Sequence, residues 1–194
     1  YFLHLKYKVL WKTPFVFHFL LTLVTANIYN IKFHLKNIKF NSEFTIYASK
    51  EALKEDVQEL FKAAETARKN AYAPYSKFLV GAALKLENGE VITGSNQENA
   101  AYPSGLCAER TAIFYAGAQF PNQKILKMVI SAGLQEKVLD RPIPPCGACR
   151  QALVEYEQRQ NIPIELYFMG TEGQVAYSES VENILPWIFD KNVL

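Results

Sequence analysis

The sequence predicts an α/β domain over residues 45–194, a mixed sheet covered by helices. Three observations carry that prediction. Apolar residues recur at helical spacing over residues 49–71, and an Asn88-Gly89 pair separates two stretches of strand composition. From there to the C-terminus, short apolar runs of strand length alternate with helical segments.

In the first helix Leu53, Val57, Leu60, Phe61, Ala64 and Ala67 follow one another at steps of three and four, with Lys and Glu between them. Pro74 stops it. Residues 78–86 then read as a strand, joined through Asn88-Gly89, a favoured two-residue hairpin turn, to a second strand over 90–95. A short helix is expected over 106–118, with Ser104 or Gly105 available as its cap. Residues 125–132 are apolar over the length of a buried strand. Pro142, Pro144 and Pro145 interrupt the chain before a helix over 147–160, which Pro163 closes. A strand over 164–169 and a terminal helix over 181–189 complete the order.

Composition narrows the function. Of the 194 residues 49% are hydrophobic and 21% charged, the balance of an ordinary domain with one core. The net charge of +2 is unevenly spread: residues 1–40 hold six lysines and no acids. Removing those six from 21 basic residues leaves 15 against 19 acids, so the rest carries about −4. An acidic body argues against a nucleic-acid groove, which needs clustered Lys and Arg. Three cysteines, two of them spaced Cys146-x-x-Cys149, argue against a secreted disulfide framework and for reduced thiols in the cytoplasm.

Residues 1–44 are expected to form an N-terminal extension outside the domain. The apolar run 14–26 follows Lys12 and ends on Val24-Thr25-Ala26, the outline of a signal peptide. A span needs about 20 apolar residues, so no membrane helix is expected there. A leader foreign to the domain and a dispensable extension are the other two readings.

The chemistry concentrates in Cys107-Ala-Glu109-Arg110 and Pro145-Cys146-Gly-Ala-Cys149-Arg150-Gln151, each at the start of a predicted helix. Free N–H groups and partial positive charge at a helix N-terminus favour thiolate at neutral pH. Two such ends meeting would hold three thiolates around one Zn²⁺. A closed structural site takes four protein ligands, whereas a catalytic one takes three and leaves a position for water. His4, His18 and His34 all lie in the first forty residues, so the domain itself offers three cysteines and no histidine. An open site is the simpler reading. Glu109 follows Cys107 by two positions, close enough to take a proton from a bound water without ligating the metal. Three thiolates and Zn²⁺ sum to −1, a charge that Arg110 and Arg150, each beside a ligand, would offset.

A Cys or His ligand, a non-ligating Glu two positions on and a later P-C-x-x-C is the known signature of zinc deaminases. Here the chain resembles the cytidine deaminase family, in its small homotetrameric class with three cysteine ligands. The resemblance rests on Ala73-Pro-Tyr-Ser-Lys-Phe78, Val80-Gly-Ala-Ala83, Asn96-Gln-Glu98-Asn-Ala-Ala-Tyr102, Cys107-Ala-Glu-Arg-Thr111 and Pro145-Cys-Gly-Ala-Cys-Arg-Gln151. It implies a three-layer α-β-α fold with a mixed sheet of about five strands. It also implies a cytoplasmic homotetramer of pyrimidine salvage that deaminates cytidine and deoxycytidine with one Zn²⁺ per chain, Glu109 being base and acid in turn. By the same resemblance Phe78 stacks on the pyrimidine, Asn96 and Glu98 hold the ribose hydroxyls, and the Ala108 N–H helps hold the base. Tyr102 and Phe189 look into a neighbouring subunit's site. Pro103-Ser104-Gly105 departs from the pattern.

Each of these residues also has a plainer reading. Cys146-x-x-Cys149 alone fits a redox dithiol or half of a structural zinc site, and it is Cys107-x-Glu109 that tips the balance to catalysis. Phe78, Tyr102 and Phe189 read as packing residues, Asn96 and Glu98 as turn residues, Arg110 and Arg150 as surface charges. The alternative functions are a deaminase of a modified cytosine nucleoside such as blasticidin S, and a non-catalytic zinc or redox module.

Overall fold

The computed structural model describes residues 36–193. The expectations attached to residues 1–35, including the signal-peptide reading and the three histidines, lie outside the described residues. The chain divides between Lys39 and Phe40, and the architecture below is that of the part from Phe40 onward.

Helix α1 spans Glu55–Lys69, shorter than the periodic stretch, because Leu53 and Lys54 are extended and leave Lys50–Ala52 as a separate 3-10 turn. Glu55 and Asp56 in its first turn and Arg68 and Lys69 in its last complement the helix dipole. Strands β2 (Phe78–Leu86) and β3 (Val91–Ser95) form the expected hairpin. Its loop has three residues, not two: Leu86 N donates to Glu90 O and Gly89 N to Leu86 O. A two-residue type I′ turn needs positive φ at both central positions, and here only Gly89 supplies it, at 93°.

Helix α2 (Ala108–Gln119) follows β3, strand β4 (Ile125–Leu134) follows α2, and helix α3 (Gly147–Gln160) leads into β5 (Glu165–Met169). Together with β1 (Thr45–Tyr47) and β6 (Val175–Ser178) the strands form one sheet in the order β1-β6-β5-β4-β2-β3. The sheet therefore has six strands instead of about five. The added strands have three and four residues, too short to show a period. Because β3 and β4 both run antiparallel to β2, they are parallel to each other, and β4 is parallel to β5. Helices α2 and α3 are thus successive crossovers moving the same way across the sheet, and the common right hand of such crossovers places both on one face. Both helices consequently start at the end of the sheet where β3 and β4 finish.

The strands alternate between two cores. Ala82, Leu84, Met128, Ile130, Leu166 and Phe168 pack with Ala112, Ile113, Leu153 and Val154 of α2 and α3. On the opposite face, Ala83, Val129, Tyr167 and Met169 pack with Val57, Leu60, Phe61 and Ala64 of α1. Burial on both faces accounts for the near-continuous apolar runs of β4 and β5. Two glycines set the layer spacing: a Cβ on Gly81 would lie 2.0 Å from Ala64 O in α1, and one on Gly94 would lie 2.4 Å from Ala108 O in α2.

The terminal helix expected over 181–189 is absent. Only a 3-10 turn, Glu182–Ile184, forms there. Pro186 disfavours helical backbone at Leu185, which sits at φ −135°, and Trp187 turns the chain with φ 62°.

Candidate metal centre

Cys107 is the N-cap of α2 and Cys146 the N-cap of α3, while Cys149 lies in the first turn of α3. Cys107, and neither Ser104 nor Gly105, occupies the cap position because residues 102–104 form their own 3-10 turn and Gly105 is extended. The convergence of the two helix starts brings the three Sγ atoms within 4.8 Å of one another. Cys107 Sγ and Cys146 Sγ are 3.9 Å apart, and two thiolates on a tetrahedral Zn²⁺ with bonds of ~2.3 Å stand ~3.8 Å apart. The sulfurs therefore fit the ion. They grade from buried Cys149 through half-buried Cys107 to exposed Cys146, so one side of the cluster opens outward. Among the described residues no other His, Cys, Asp or Glu belongs to this donor group.

Cys107 ionises more readily than Cys149. A hydrogen bond from Cys149 and the Arg110 guanidinium, whose Nη2 lies 3.6 Å from Cys107 Sγ, bring its pKa down to about 5. Cys149 moves the opposite way, raised by the bond it shares with Cys107 and by burial. Glu109 is 4% exposed. Burial pushes its carboxyl above the usual carboxylate range, and the neighbouring Cys107 charge adds to that.

A cleft of about 680 Å³ opens beside the sulfurs. Phe78, Asn96, Glu98, Tyr102, Cys107, Glu109, Arg110 and Cys146 all line it. The side chain of Asn96 continues the sheet past the last β2–β3 pair: Oδ1 accepts from Val80 N at 2.8 Å and Nδ2 donates to Phe78 O at 2.9 Å. Glu98 is clamped by Ser76, whose hydroxyl donates to Oε1, and by the N–H groups of Tyr75 and Ser76 on Oε2. Those donors, Ser76 Oγ first, hold its carboxyl below its ordinary pKa.

Other expected residues stand elsewhere. Ala108 has a fully buried side chain at the first helical position, where a backbone N–H has no partner within the helix. Arg150 donates from Nε to Pro145 O at 2.9 Å and from Nη1 to Ile184 O at 3.0 Å, so its bonds go to carbonyls and not to sulfur. Phe189 is 61% exposed and does not line the cleft. Sequence reasoning overlooked Ser76 and Tyr75, which fix Glu98, and Ile143 and Pro144, which wall the cleft before Cys146. The signal for Ser76 was its place in a polar turn between a helix and a strand. Lys77 beside it has φ 57°, a backbone conformation costly for a side chain of its size.

A family profile, the cytidine and deoxycytidylate deaminase zinc-binding region, matches residues 54–164. The cytidine deaminase of Halalkalibacterium halodurans is 47% identical over 134 residues, which are 69% of this chain and 94% of that relative. The probable cytidine deaminase of Dictyostelium discoideum is 34% identical over 140 residues, 72% of this chain and 88% of its own. Among solved structures, a cytidine deaminase from Burkholderia pseudomallei superposes with a TM-score of 0.59 at 36% identity, covering 71% of this chain and 100% of that one.

Proposed function

The chain belongs to the cytidine and deoxycytidylate deaminase family, and on that premise we propose that it hydrolyses the 4-amino group of cytidine and deoxycytidine, yielding uridine or deoxyuridine and ammonia. The observation that supports this most directly is the trio Cys107, Cys146 and Cys149 gathered at two helix starts with no fourth donor among the described residues, while a buried carboxylate two residues past Cys107 faces the same cleft. Three thiolates hold one Zn²⁺ per chain. When bound, the ion supplies Lewis acidity and makes water a nucleophile near neutral pH.

The chain's own residues do the rest. Glu109 takes one proton from the attacking water and gives it to N3 of the pyrimidine, then takes the second from the resulting C4 hydroxyl and gives it to the departing amine. Its buried setting suits this double duty, because a carboxyl with a raised pKa holds a proton between the two transfers. Arg110 balances the excess thiolate charge. Phe78 offers a face to the base, Asn96 and Glu98 take the ribose hydroxyls, and the Ala108 N–H holds the base edge. The hydrogen bonds on Glu98 from Ser76 and Tyr75 fix a charged acceptor in place. Arg150 steadies the Cys146 turn through the Pro145 carbonyl.

The catalytic domain runs over residues 45–194, and the active assembly is a homotetramer to which Tyr102 and Phe189 contribute across chain boundaries. Thiol ligands suit a reducing compartment, and we place the enzyme in the cytoplasm, recovering pyrimidines from nucleosides. Among the described residues no helix is long and apolar enough to cross a membrane. The test is ultraviolet loss of cytidine by zinc-replete protein, with and without chelator. Chelator-sensitive turnover is expected; no turnover by protein holding one zinc per chain refutes the assignment.

A further inference from the structure

Strands β2 and β4 carry a second cavity on their other side. Phe78, Val80 and Ala132 face the cleft described above, while the residues alternating with them, Leu79 and Gly133, line a cavity of about 400 Å³ on the α1 side of the sheet. Its remaining walls come from the end of α1, with Arg68 and Lys69, and from the loop after β4, with Glu136 and Lys137.

The charges here are unbalanced. Three cations meet one acid, and among the described residues none of Arg68, Lys69 or Lys137 enters a salt bridge or a side-chain hydrogen bond. Glu65, one turn before Arg68, is held by Lys50 at 2.6 Å. Only two buried side-chain nitrogens among the described residues lack a partner: Arg110 Nε, in the metal cleft, and Arg68 Nη1, here. A buried donor without a partner is costly, and in a native structure it calls for a ligand, an ion or ordered water. Space is kept beside it: a Cβ on Gly133 would lie 3.7 Å from Arg68 Nη1 and would collide with Thr171 Cγ2 at 2.3 Å. Burial also pulls the Arg68 guanidinium below its ordinary pKa, and the nearby Glu65 charge offsets this only in part.

We propose that this cavity is an anion site that takes a phosphate group, with the planar guanidinium of Arg68 donating to the phosphate oxygens and Lys69 and Lys137 matching its charge. The volume exceeds what inorganic phosphate fills, so the phosphate of a nucleoside monophosphate is a second source of the same chemistry. The site is separate from the metal cleft.

Calorimetric titration of the zinc-replete full chain at constant ionic strength tests it, using sodium phosphate, a nucleoside 5′-monophosphate and the unphosphorylated nucleoside. Saturable phosphate binding is expected, weakened at least tenfold in Arg68→Gln and unchanged in Glu109→Gln. Tighter binding of the monophosphate, retained in Glu109→Gln and lost in Arg68→Gln, identifies the nucleotide as the occupant, and equal binding identifies inorganic phosphate. Absence of saturable phosphate binding, or equal binding by wild type and Arg68→Gln, overturns the proposal. If Arg68→Gln does not fold, exposed Lys137→Gln decides: a several-fold loss supports the site, and unchanged binding overturns it.

Discussion

Arg110 Nη2 reaches Cys107 Sγ at 3.6 Å across one turn of α2, so the cation that stabilises the thiolate is carried by the helix that the thiol itself caps. Replacing Arg110 by Gln removes both a donor and a charge. In metal-free protein the Cys107 thiol, which ionises at about 5 against an ordinary 9.0, is expected to titrate higher, as read by ultraviolet thiolate absorbance. The thiolate's contribution to stability is fully present above the ordinary thiol value and is lost as pH falls through about 5, so in the metal-free variant it is smaller and its loss is complete at a higher pH. In the loaded enzyme, loss of such a ligand partner costs roughly 10- to 100-fold in zinc affinity or activity. An unchanged thiol titration would remove Arg110 from this role.

Glu109→Gln is expected to keep its zinc and lose roughly 100- to 10,000-fold in kcat, the usual range for a proton-transfer residue. Metal content by atomic absorption alongside kcat checks it. A variant that loses zinc with activity would make Glu109 a ligand, and one that keeps its rate would make it a packing residue.

Much of the fold and most of the cleft were legible because they rest on local rules. Helix α3 occupies the residues bounded by Pro145 and Pro163, and both metal-bearing turns sit at helix starts. What escaped depends on distant partners. Strands β1 and β6 pair with each other over three positions, and no period of two emerges from so few. The 181–189 segment has helical composition, yet Pro186 and the turn at Trp187 end it after one 3-10 turn, which the distant buried carboxylate of Glu157 on α3 anchors through the Val181 and Glu182 N–H groups. Arg150 has the same history: its neighbour in sequence is a cysteine, but its partners are a carbonyl five residues back and one 34 residues on.

The edge of the domain carries another expectation. Phe40 packs edge-on against Trp187 at 5.4 Å, Phe44 packs against Phe168 at 6.3 Å, and Asn183 exchanges hydrogen bonds with the Glu43 backbone at 3.0 and 2.7 Å. Deleting residues 1–39 is therefore expected to leave the melting temperature and turnover essentially intact. Deleting residues 1–47 removes these contacts and β1, costing about 2 kcal/mol and lowering Tm by about 4–8 °C. Equal melting temperatures for the two truncations would show that residues 40–47 contribute nothing.

Gln151, two residues past Cys149, holds the Phe189 carbonyl at 2.9 Å, so the segment is tied to the metal helix while its ring stays 61% exposed and away from the chain's own cleft. Trp187 at 72% and Tyr102 at 76% are also exposed, and large aromatics left to solvent in this way mark an interface. Closed symmetry is the usual outcome when a soluble chain associates with itself, and a neighbour's Phe189 would exclude water from a cleft that is open in one chain. Light scattering should give the mass of a tetramer. Glu109→Ala and Phe189→Ala, each nearly inactive alone, should then recover activity when dissociated and reassembled together. In a random equal mixture about a quarter of sites combine an intact Glu109 with a neighbour's intact Phe189. Recovery approaching that fraction places Phe189 in trans. A fully active monomer would refute the shared site, and a tetramer without recovery would confine Phe189 to its own chain.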